Sequence, residues 1–220
     1  MAKVLCIPDL HAPYTNLEAL TLLYAHIEKV NPTHIIQLGD QLDLYAFSKF
    51  PRSHNVMTPK QELEEGIGLL KEMWRLINRI SPDSRKYQLL GNHMERLPKR
   101  VLERLPEAES LFRVEDLVNF DGVHTVTEDQ IEIDDVLYLH GFMTGAFKHM
   151  RYFLKSCVFG HTHSAWIHFE KIHNRQLFEF TSGYLADDTQ IPLQYTASKI
   201  NKWSTGYGIV DNGVPTFVPL

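Results

Sequence analysis

Three short apolar runs alternate with amphipathic segments over the first 105 residues, and this alternation limits the folds open to the chain. The runs cover residues 4–7, 34–38 and 87–90, and each has the length of a buried strand. In the two segments between them, at 17–27 and 63–77, apolar side chains repeat at helical spacing. Strands that alternate with helices pair in parallel through right-handed crossovers, so the first half is predicted to be a β-α-β-α-β-α unit.

Local signals mark the start of both long helices. Thr15 and Glu18 have the spacing of a capping box, which predicts that the first helix begins there. Thr58 and Gln61 form a second capping signature, and Pro59 lies where proline fits the first helical turn. Each helix therefore has a predicted N-terminal cap.

Pairs of apolar runs separated by polar turns dominate the sequence after residue 120. They predict three hairpins, with turns at Asp134-Asp135, 173–175 and Asn212-Gly213. No repeat, low-complexity tract or interdomain linker interrupts the chain. This order predicts an α/β fold in which two sheets pack together with helices outside, and residues 1–220 are expected to form a single domain.

A cluster of Asp, Asn or His side chains follows each of five apolar runs. The carboxyl ends of strands form the ligand crevice of an open α/β sheet, so the five clusters are expected to converge in space. One such cluster would be weak evidence, because a lone buried histidine is more often a satisfied core residue. The candidates are Asp9, His11, Asp40, Asp43, Asn92, His93, His140, His161 and His163.

The residue types in these clusters predict the chemistry of the site. Histidine, aspartate and asparagine without a thiolate suit Mn, Fe or Zn, and they suit neither an all-oxygen calcium cage nor a cysteine-rich structural zinc site. This many ligands is too large a set for one tetrahedral ion but fits two ions that share a bridging carboxylate. Such a pair acidifies a bound water, which then supplies a hydroxide nucleophile at neutral pH.

The order of the motifs resembles that of the calcineurin-like metallophosphoesterase superfamily over residues 9 to 163. The matching motifs are Asp9-x-His11, Gly39-Asp40-x-x-Asp43, Gly91-Asn92-His93, His140 and Gly160-His161-x-His163. The resemblance implies a four-layer α/β/β/α sandwich of two mixed sheets flanked by helices. It also implies an enzyme that hydrolyses phosphoric ester bonds with two divalent metal ions, Mn first, with Fe, Zn, Ni and Co as alternatives.

The resemblance further implies a role for each matching position. One metal ion would be held by Asp9, His11 and His163, the other by Asn92, His140 and His161, with Asp40 bridging the two. His93 would remain free of metal and protonate the leaving alkoxide, and Asp43 would orient His93 and keep it protonated. A general acid must stay uncoordinated, which agrees with this division of roles.

Departures from the patterns within the superfamily favour one branch. Protein Ser/Thr phosphatases continue the second motif with Arg-Gly, where this sequence has Leu44-Tyr45, and they read Asn-His-Glu, where Met94 separates His93 from Glu95. Repair nucleases place histidine where Asp43 stands. The paired histidines at 161 and 163 nevertheless resemble the phosphodiesterase and nuclease side.

Charge bears on the substrate. The net charge is −5 and the pI is about 6.2, so the chain lacks the basic excess typical of non-specific nucleic-acid binding. Two local basic stretches predict contact with a polyanionic substrate such as DNA or RNA, the alternative being that they are solvated helix faces. The predicted substrate-binding residues are Arg96, Arg100, Lys148 and Arg151.

Cellular location and partners follow from absences in the sequence. Cys6 and Cys157 lie in apolar runs and are expected to be buried, reduced thiols. No apolar stretch approaches the ~20 residues of a membrane span, and the N-terminus does not read as a signal peptide. We therefore expect a cytoplasmic protein that does not bind membranes. No obligate protein partner is evident.

Three functions remain open at this point. The first is a phosphodiesterase acting on nucleic acid, the second a phosphomonoesterase acting on nucleotides, metabolites or phosphoproteins, and the third a metal-binding scaffold without turnover. The segment 184–207 lacks periodicity and is long for a connection. It is expected either to pack its own aromatic side chains or to form a substrate-facing lip.

Overall fold

The computed structural model describes residues 1–50, 53, 56–107, 113–143, 147–196 and 202–220, with residues 194–196 described by their backbone alone. Within these residues the chain alternates strands and helices in its first half and is rich in strands afterwards. The elements are β1 (Lys3–Ile7), α1 (Leu17–Val30), β2 (His34–Gln37), α2 (Pro59–Ile80), β3 (Arg85–Leu89), α3 (Arg96–Leu102), β4 (His124–Val126), β5 (Gln130–Ile133), β6 (Val136–Leu139), α4 (Lys148–Phe153), β7 (Ser156–Phe159), β8 (Ala165–Ile172), β9 (Arg175–Ser182), β10 (Gly206–Asp211) and β11 (Val214–Pro219).

The strands form two mixed sheets. The first has the order β11-β10-β1-β2-β3-β4, in which β1 to β4 are parallel, β10 is antiparallel to β1, and β11 is antiparallel to β10. The second has the order β5-β6-β7-β9-β8, with β6, β7 and β9 parallel between two antiparallel edge strands. The three predicted hairpins are confirmed, as is the parallel pairing of the first half.

Separate apolar cores lie on the faces of the two sheets. Side chains of β1 and β2 alternate in direction, so Leu5 and Ile35 join a core with α1 and α2, whereas Cys6 and Ile36 face the second sheet. The core between the sheets includes Phe180 of β9. A smaller cluster of β6, β7 and α4 residues lies on the outer face of the second sheet. The predicted sandwich of two mixed sheets with helices is confirmed.

Both helix starts were predicted, and one prediction is wrong. α2 begins with the capping box of Thr58 and Gln61, as expected. The cap of α1 is Asn16, whose side chain accepts a hydrogen bond from the Ala19 amide at 3.0 Å. Thr15 is buried and its hydroxyl donates to the Leu10 carbonyl oxygen instead. Because the Thr15 hydroxyl is used by this contact within the loop, Asn16 caps the helix, one residue later than predicted.

Two further expectations concern compartment and membranes. Cys6 and Cys157 are both buried free thiols, which confirms the predicted burial. No helix among the described residues combines the length and the apolar composition that a bilayer span requires.

Candidate metal centre

All nine residues predicted for the site meet at the edge where strands of both sheets end. The first sheet contributes residues that follow β1, β2 and β3, and the second contributes residues that follow β6 and β7. Parallel strands end at the same edge of a sheet, which explains the convergence. The nine are Asp9, His11, Asp40, Asp43, Asn92, His93, His140, His161 and His163.

Four ligand atoms crowd around one point between the sheets. Asn92 Oδ1 lies 3.0 Å from His140 Nε2 and 2.9 Å from His161 Nδ1, and Asp40 Oδ2 lies 3.3 Å from the same His140 Nε2. His140 Nδ1 donates to the Leu38 carbonyl oxygen at 3.0 Å. Burial lowers the pKa of His140, but the charges of Asp40 and Asp9 outweigh it and raise the pKa to about 9, so without a metal ion Nε2 carries a proton towards these oxygens. A divalent cation would replace this proton, and the imidazole, amide and carboxylate atoms gathered here are ligands that such a cation accepts.

The side chain of Asp9 is completely buried, and neither carboxylate oxygen makes a hydrogen bond of normal geometry with a described residue. The two oxygens lie 3.6 Å from His140 Nδ1 and 3.6 Å from His163 Nε2. Burial is the largest influence and raises the pKa of Asp9 to about 6, against the opposing charge of His140. A buried carboxylate without donors is costly, so this group also fits a cation.

His11 and His163 stand beside Asp9 with their ring nitrogens directed at each other. His11 Nδ1 donates to Asp43 Oδ2 at 2.9 Å, so Nε2 is the atom with which His11 would bind a metal ion after losing its proton there. That Nε2 lies 3.0 Å from His163 Nε2. Burial, reinforced by the charge of His11, holds the pKa of His163 well below its usual value. Both rings are thus suited to metal coordination.

Asp40 connects the two groups of ligands. Its Oδ1 accepts a hydrogen bond from the His93 amide at 2.9 Å, while Oδ2 points towards His140. Burial raises the pKa of Asp40, but the charges of His140 and His93 outweigh it and hold the pKa well below the usual value. The predicted bridging role of Asp40 stays a prediction.

Unusual backbone conformations place several of these side chains. Four candidate ligands occupy the left-handed region, which non-glycine residues adopt only at an energetic cost of about 1 kcal/mol or more. Such strain is retained where the surrounding structure demands one side-chain direction. The four are His11 (φ 48°), Asp40 (φ 49°), His161 (φ 65°) and His163 (φ 57°).

Glycines in the same motifs make room for the ligands. A Cβ atom on Gly160 would lie 2.5 Å from Asp9 Oδ1. Gly39 combines a φ of 104° with a position where a Cβ atom would lie 2.5 Å from His140 Nδ1. Both positions therefore need glycine for close approach to a ligand side chain.

The predicted acid, His93, contacts both Asp43 and Arg96. His93 Nδ1 donates to the main-chain carbonyl oxygen of Asp43 at 3.0 Å, whereas the Asp43 carboxylate Oδ2 is 3.5 Å away. The Asp43 carboxylate instead pairs with His11 and with Arg96 Nη1, the latter at 3.0 Å. Arg96 Nη2 donates to His93 Nε2 at 2.7 Å. Both the main chain and the carboxylate of Asp43 thus lie beside His93, together with Arg96, and the orienting role of Asp43 stays a prediction.

The remaining predicted substrate-binding residues have varied surroundings. Arg100 donates to the carbonyl oxygens of Phe47 and Ser48, which ties α3 to the residues after β2. Arg151 forms two hydrogen bonds to Glu170 at 3.0 and 3.2 Å. Lys148 is exposed at the start of α4. Their contact with substrate stays a prediction.

A buried glutamate supports the site and was missed by the sequence analysis. Glu62 Oε1 accepts from the Tyr45 amide at 2.6 Å, and Oε2 accepts from the Ala46 amide at 2.7 Å. Burial raises the pKa of Glu62 to about 6. The contact fixes the 3₁₀ turn that follows Asp43. In the sequence Glu62 resembles an ordinary acidic residue in the first turn of a helix.

Aromatic side chains cover the outer face of His163. The Trp203 ring centroid is 4.6 Å from that of His163, and the Tyr184 ring stacks on it at 5.5 Å. Tyr184 and Trp203 also pack against each other. Of the two expectations for segment 184–207, aromatic packing holds for these residues. Residues 197–201 and the side chain of Tyr195 lie outside the described part of the chain.

Comparison with known proteins adds one structural similarity. No protein-family model matches the chain, and no curated protein matches it. Among solved structures, the chain is similar to Yfce, a phosphoesterase from E. coli, with a TM-score of 0.48 and 15% sequence identity. The alignment covers 99% of this chain and 92% of that chain. A similarity at this level identifies neither a family nor an activity.

Proposed function

We propose that the chain is a metal-dependent phosphoesterase with a dinuclear centre, which hydrolyses phosphodiester bonds, with nucleic acid as its candidate substrate. The observation that carries the proposal is the buried carboxylate of Asp9, which makes no hydrogen bond of normal geometry with a described residue and lies beside the closely spaced Nε2 atoms of His11 and His163. A cation is the group that stabilises such an arrangement.

The ligand groups divide into two sets in this proposal. Asp9, His11 and His163 would hold one ion, and Asn92, His140 and His161 the other, with Asp40 shared. Two divalent ions so placed would neutralise phosphoryl charge and acidify a water molecule at neutral pH. Mn is the proposed ion, and Fe, Zn, Ni and Co suit the same ligands.

His93 is assigned outside the ligand sets. One ligand atom each of His11, Asp43 and His93 lie within 4.8 Å of one another, so these residues are geometrically able to hold an ion. Both ring nitrogens of His93 already have partners, the Asp43 carbonyl oxygen and Arg96. Asp43 is also fully engaged, whereas Asp9 is not. These contacts favour His93 as the group that protonates the leaving alkoxide.

Arg96 has a matching role in the proposal. Its guanidinium now donates to His93 Nε2 and to Asp43. When a phosphoryl group enters, Arg96 would transfer one donor from His93 to a phosphoryl oxygen, which frees Nε2 to hold a proton.

We treat residues 1–220 as one catalytic unit because both sheets contribute to the site. The buried thiols Cys6 and Cys157 are consistent with a reducing, cytoplasmic location.

The test is turnover by protein reloaded with Mn. Bis(p-nitrophenyl) phosphate and p-nitrophenyl phosphate would be compared, with bound metal measured by mass spectrometry. We expect faster turnover of the diester, two ions per chain, and loss of activity in Asp40→Asn and His93→Ala. Full activity in either variant would overturn the residue assignment. Preference for the monoester would support a phosphomonoesterase, and bound metal without turnover of either ester would support a scaffold.

A further inference from the structure

A cavity of about 350 Å³ opens beside the candidate metal centre, between α3 and the loop of residues 47–50. We name it the α3 cavity. At one side it reaches Asn92, a candidate metal ligand, and Arg96, whose Nη2 contacts His93 Nε2. That nitrogen is the atom that would protonate the leaving alkoxide in the proposed function. The α3 cavity is therefore on the leaving-group side of the site.

The charge of the α3 cavity differs from that of the whole chain. Four cationic side chains line it against two carboxylates, although the net charge of the chain is −5. Arg100 donates to the carbonyl oxygens of Phe47 and Ser48 and, at 3.0 Å, to Glu103. Its side chain is therefore held in place as part of the cavity wall. Lys99 pairs with Glu95 across one helical turn.

Lys49 and Phe50 are two further exposed side chains of the wall. The Phe50 side chain is 65% exposed, and the Lys49 ammonium lies 5.5 Å from the centre of its ring. No ion pair to Lys49 is found among the described residues. An aromatic ring beside a cation is the arrangement with which proteins bind a nucleobase and the adjoining phosphate.

We propose that the α3 cavity is a leaving-group pocket for a nucleotide, in which Phe50 stacks on the base and Lys49 binds a second phosphate. The inference rests on the proposed function because it needs an ester bond cleaved next to Asn92 and Arg96. The second phosphate belongs either to a polynucleotide or to a short nucleotide, and both present the same chemistry to the pocket.

The test uses three substrates that share one scissile ester. Thymidylyl-thymidine would be compared with its 5′-phosphorylated and 3′-phosphorylated forms, using the Mn-loaded protein. The extra phosphate is on the leaving nucleoside in the 3′-phosphorylated form when the 5′ oxygen leaves, and in the 5′-phosphorylated form when the 3′ oxygen leaves. We expect the kcat/KM of that form to be about fivefold higher or more than that of thymidylyl-thymidine. Lys49→Ala should bring this ratio to about one. Lys171→Ala, in an exposed lysine at the far end of β8, should keep the ratio. Equal kcat/KM for all three substrates would overturn the inference.

The base is tested separately from the phosphate. A dinucleotide with an abasic leaving residue should be cleaved less well than the intact one, by about fivefold. Phe50→Ala should abolish that difference, and Phe50→Tyr should keep it. An abasic substrate that is cleaved equally well by the unmodified protein would remove the stacking role. Oligothymidylate of ten residues distinguishes the sources, because kcat/KM that rises with length indicates a polynucleotide and kcat/KM that stays constant indicates a short nucleotide.

A binding measurement separates this inference from the proposed function. If no ester is hydrolysed with any divalent ion, the proposed function is wrong, and the pocket is then judged by calorimetric titration with thymidine 3′,5′-bisphosphate and with thymidine. Tighter binding of the bisphosphate, by about fivefold and lost in Lys49→Ala, would support the pocket on its own. Equal affinities would overturn the pocket as well.

Discussion

The Nε2 atoms of His11 and His163 lie 3.0 Å apart, although 152 residues separate them and they follow strands of different sheets. The Asp43 carboxylate holds the proton of His11 on Nδ1, so both Nε2 atoms can offer lone pairs to one acceptor. Because each histidine is held by a different sheet, the point between the two Nε2 atoms is fixed by the packing of the two sheets. The distance between these two atoms therefore depends on how the two sheets are joined.

Asp9→Asn should stabilise the metal-free protein and weaken metal binding. The raised pKa of Asp9, about 6, means that the folded state holds a proton more tightly than the unfolded state. The ionised carboxylate therefore destabilises the metal-free fold increasingly as pH rises from about 4 to 6, by about 1–3 kcal/mol at neutral pH. Urea unfolding with a chelator and with Mn would measure both effects.

Asp211→Asn is the control for this experiment, because Asp211 is half-exposed and pairs only with Lys3 at 3.5 Å among the described ion pairs. Asp211→Asn should change neither the stability of the metal-free protein nor the stabilisation by Mn by more than about 0.5 kcal/mol. If Asp9→Asn leaves the stabilisation by Mn at its original size, Asp9 does not hold the ion.

Gly160→Ala should abolish metal binding with only a moderate loss of stability. The added Cβ atom would meet Asp9 Oδ1 at 2.5 Å and displace the carboxylate. Gly68→Ala is a matched control, because Gly68 lies within α2 and a Cβ atom there meets nothing within 4 Å. The control should gain roughly 1 kcal/mol from helix propensity. Metal content and the free energy of unfolding in urea would be measured for both variants. Normal metal content in Gly160→Ala would contradict the close approach of Gly160 to Asp9.

Arg96→Lys should lower kcat by about 10-fold to 100-fold while metal content stays unchanged. One guanidinium reaches both Asp43 and His93, at 3.0 and 2.7 Å, and an ammonium group cannot serve two partners in this planar geometry. Arg75→Lys serves as control, since Arg75 forms an exposed pair with Glu72 on α2. A parallel loss of bound metal would show instead that Arg96 is needed to build the metal centre.

His149 should make the metal-free protein sensitive to acid. Its Nε2 accepts hydrogen bonds from the amides of Phe142 and Met143. A proton on Nε2 would face these two N–H groups and break both hydrogen bonds. Burial lowers the pKa of His149 to about 4. Because the unfolded state binds the proton first, stability should fall as pH drops from about 6.5 to 4, by about 1–2 kcal/mol between pH 7 and 5. The pH dependence should be weaker in His149→Gln, and parallel curves for the two proteins would refute the prediction.

The sequence predicted the convergence of the site because the relevant signals are local. Each apolar run has strand length, and the polar cluster at its end can be placed by the rule that parallel strands share a carboxyl edge. The same reasoning placed the residues of β1, β2 and β3 and the turns of the hairpins. It failed at Thr15, whose hydroxyl donates to the carbonyl oxygen of Leu10 five residues earlier, a contact that the spacing of a capping box does not reveal.

The sequence did not predict which strands become neighbours across long separations. The hairpin of β10 and β11 is a local feature, but its pairing with β1 depends on packing between the ends of the chain. β4 has three residues, too few for a periodic signal. The link between Arg96 and Asp43 spans 53 positions. Such contacts follow from the folded arrangement, so residue type and spacing do not reveal them.

The pairing of β1 with β10 has a consequence for how the protein is made. β1 lies between β2 and β10 and carries Asp9 and His11 just beyond its end. During translation, β1 leaves the ribosome some 200 residues before its second neighbour, β10. Contacts between such distant segments form late in folding. One edge of β1 therefore stays unpaired while about 200 residues are synthesised, and a chaperone that protects that edge has this interval in which to act.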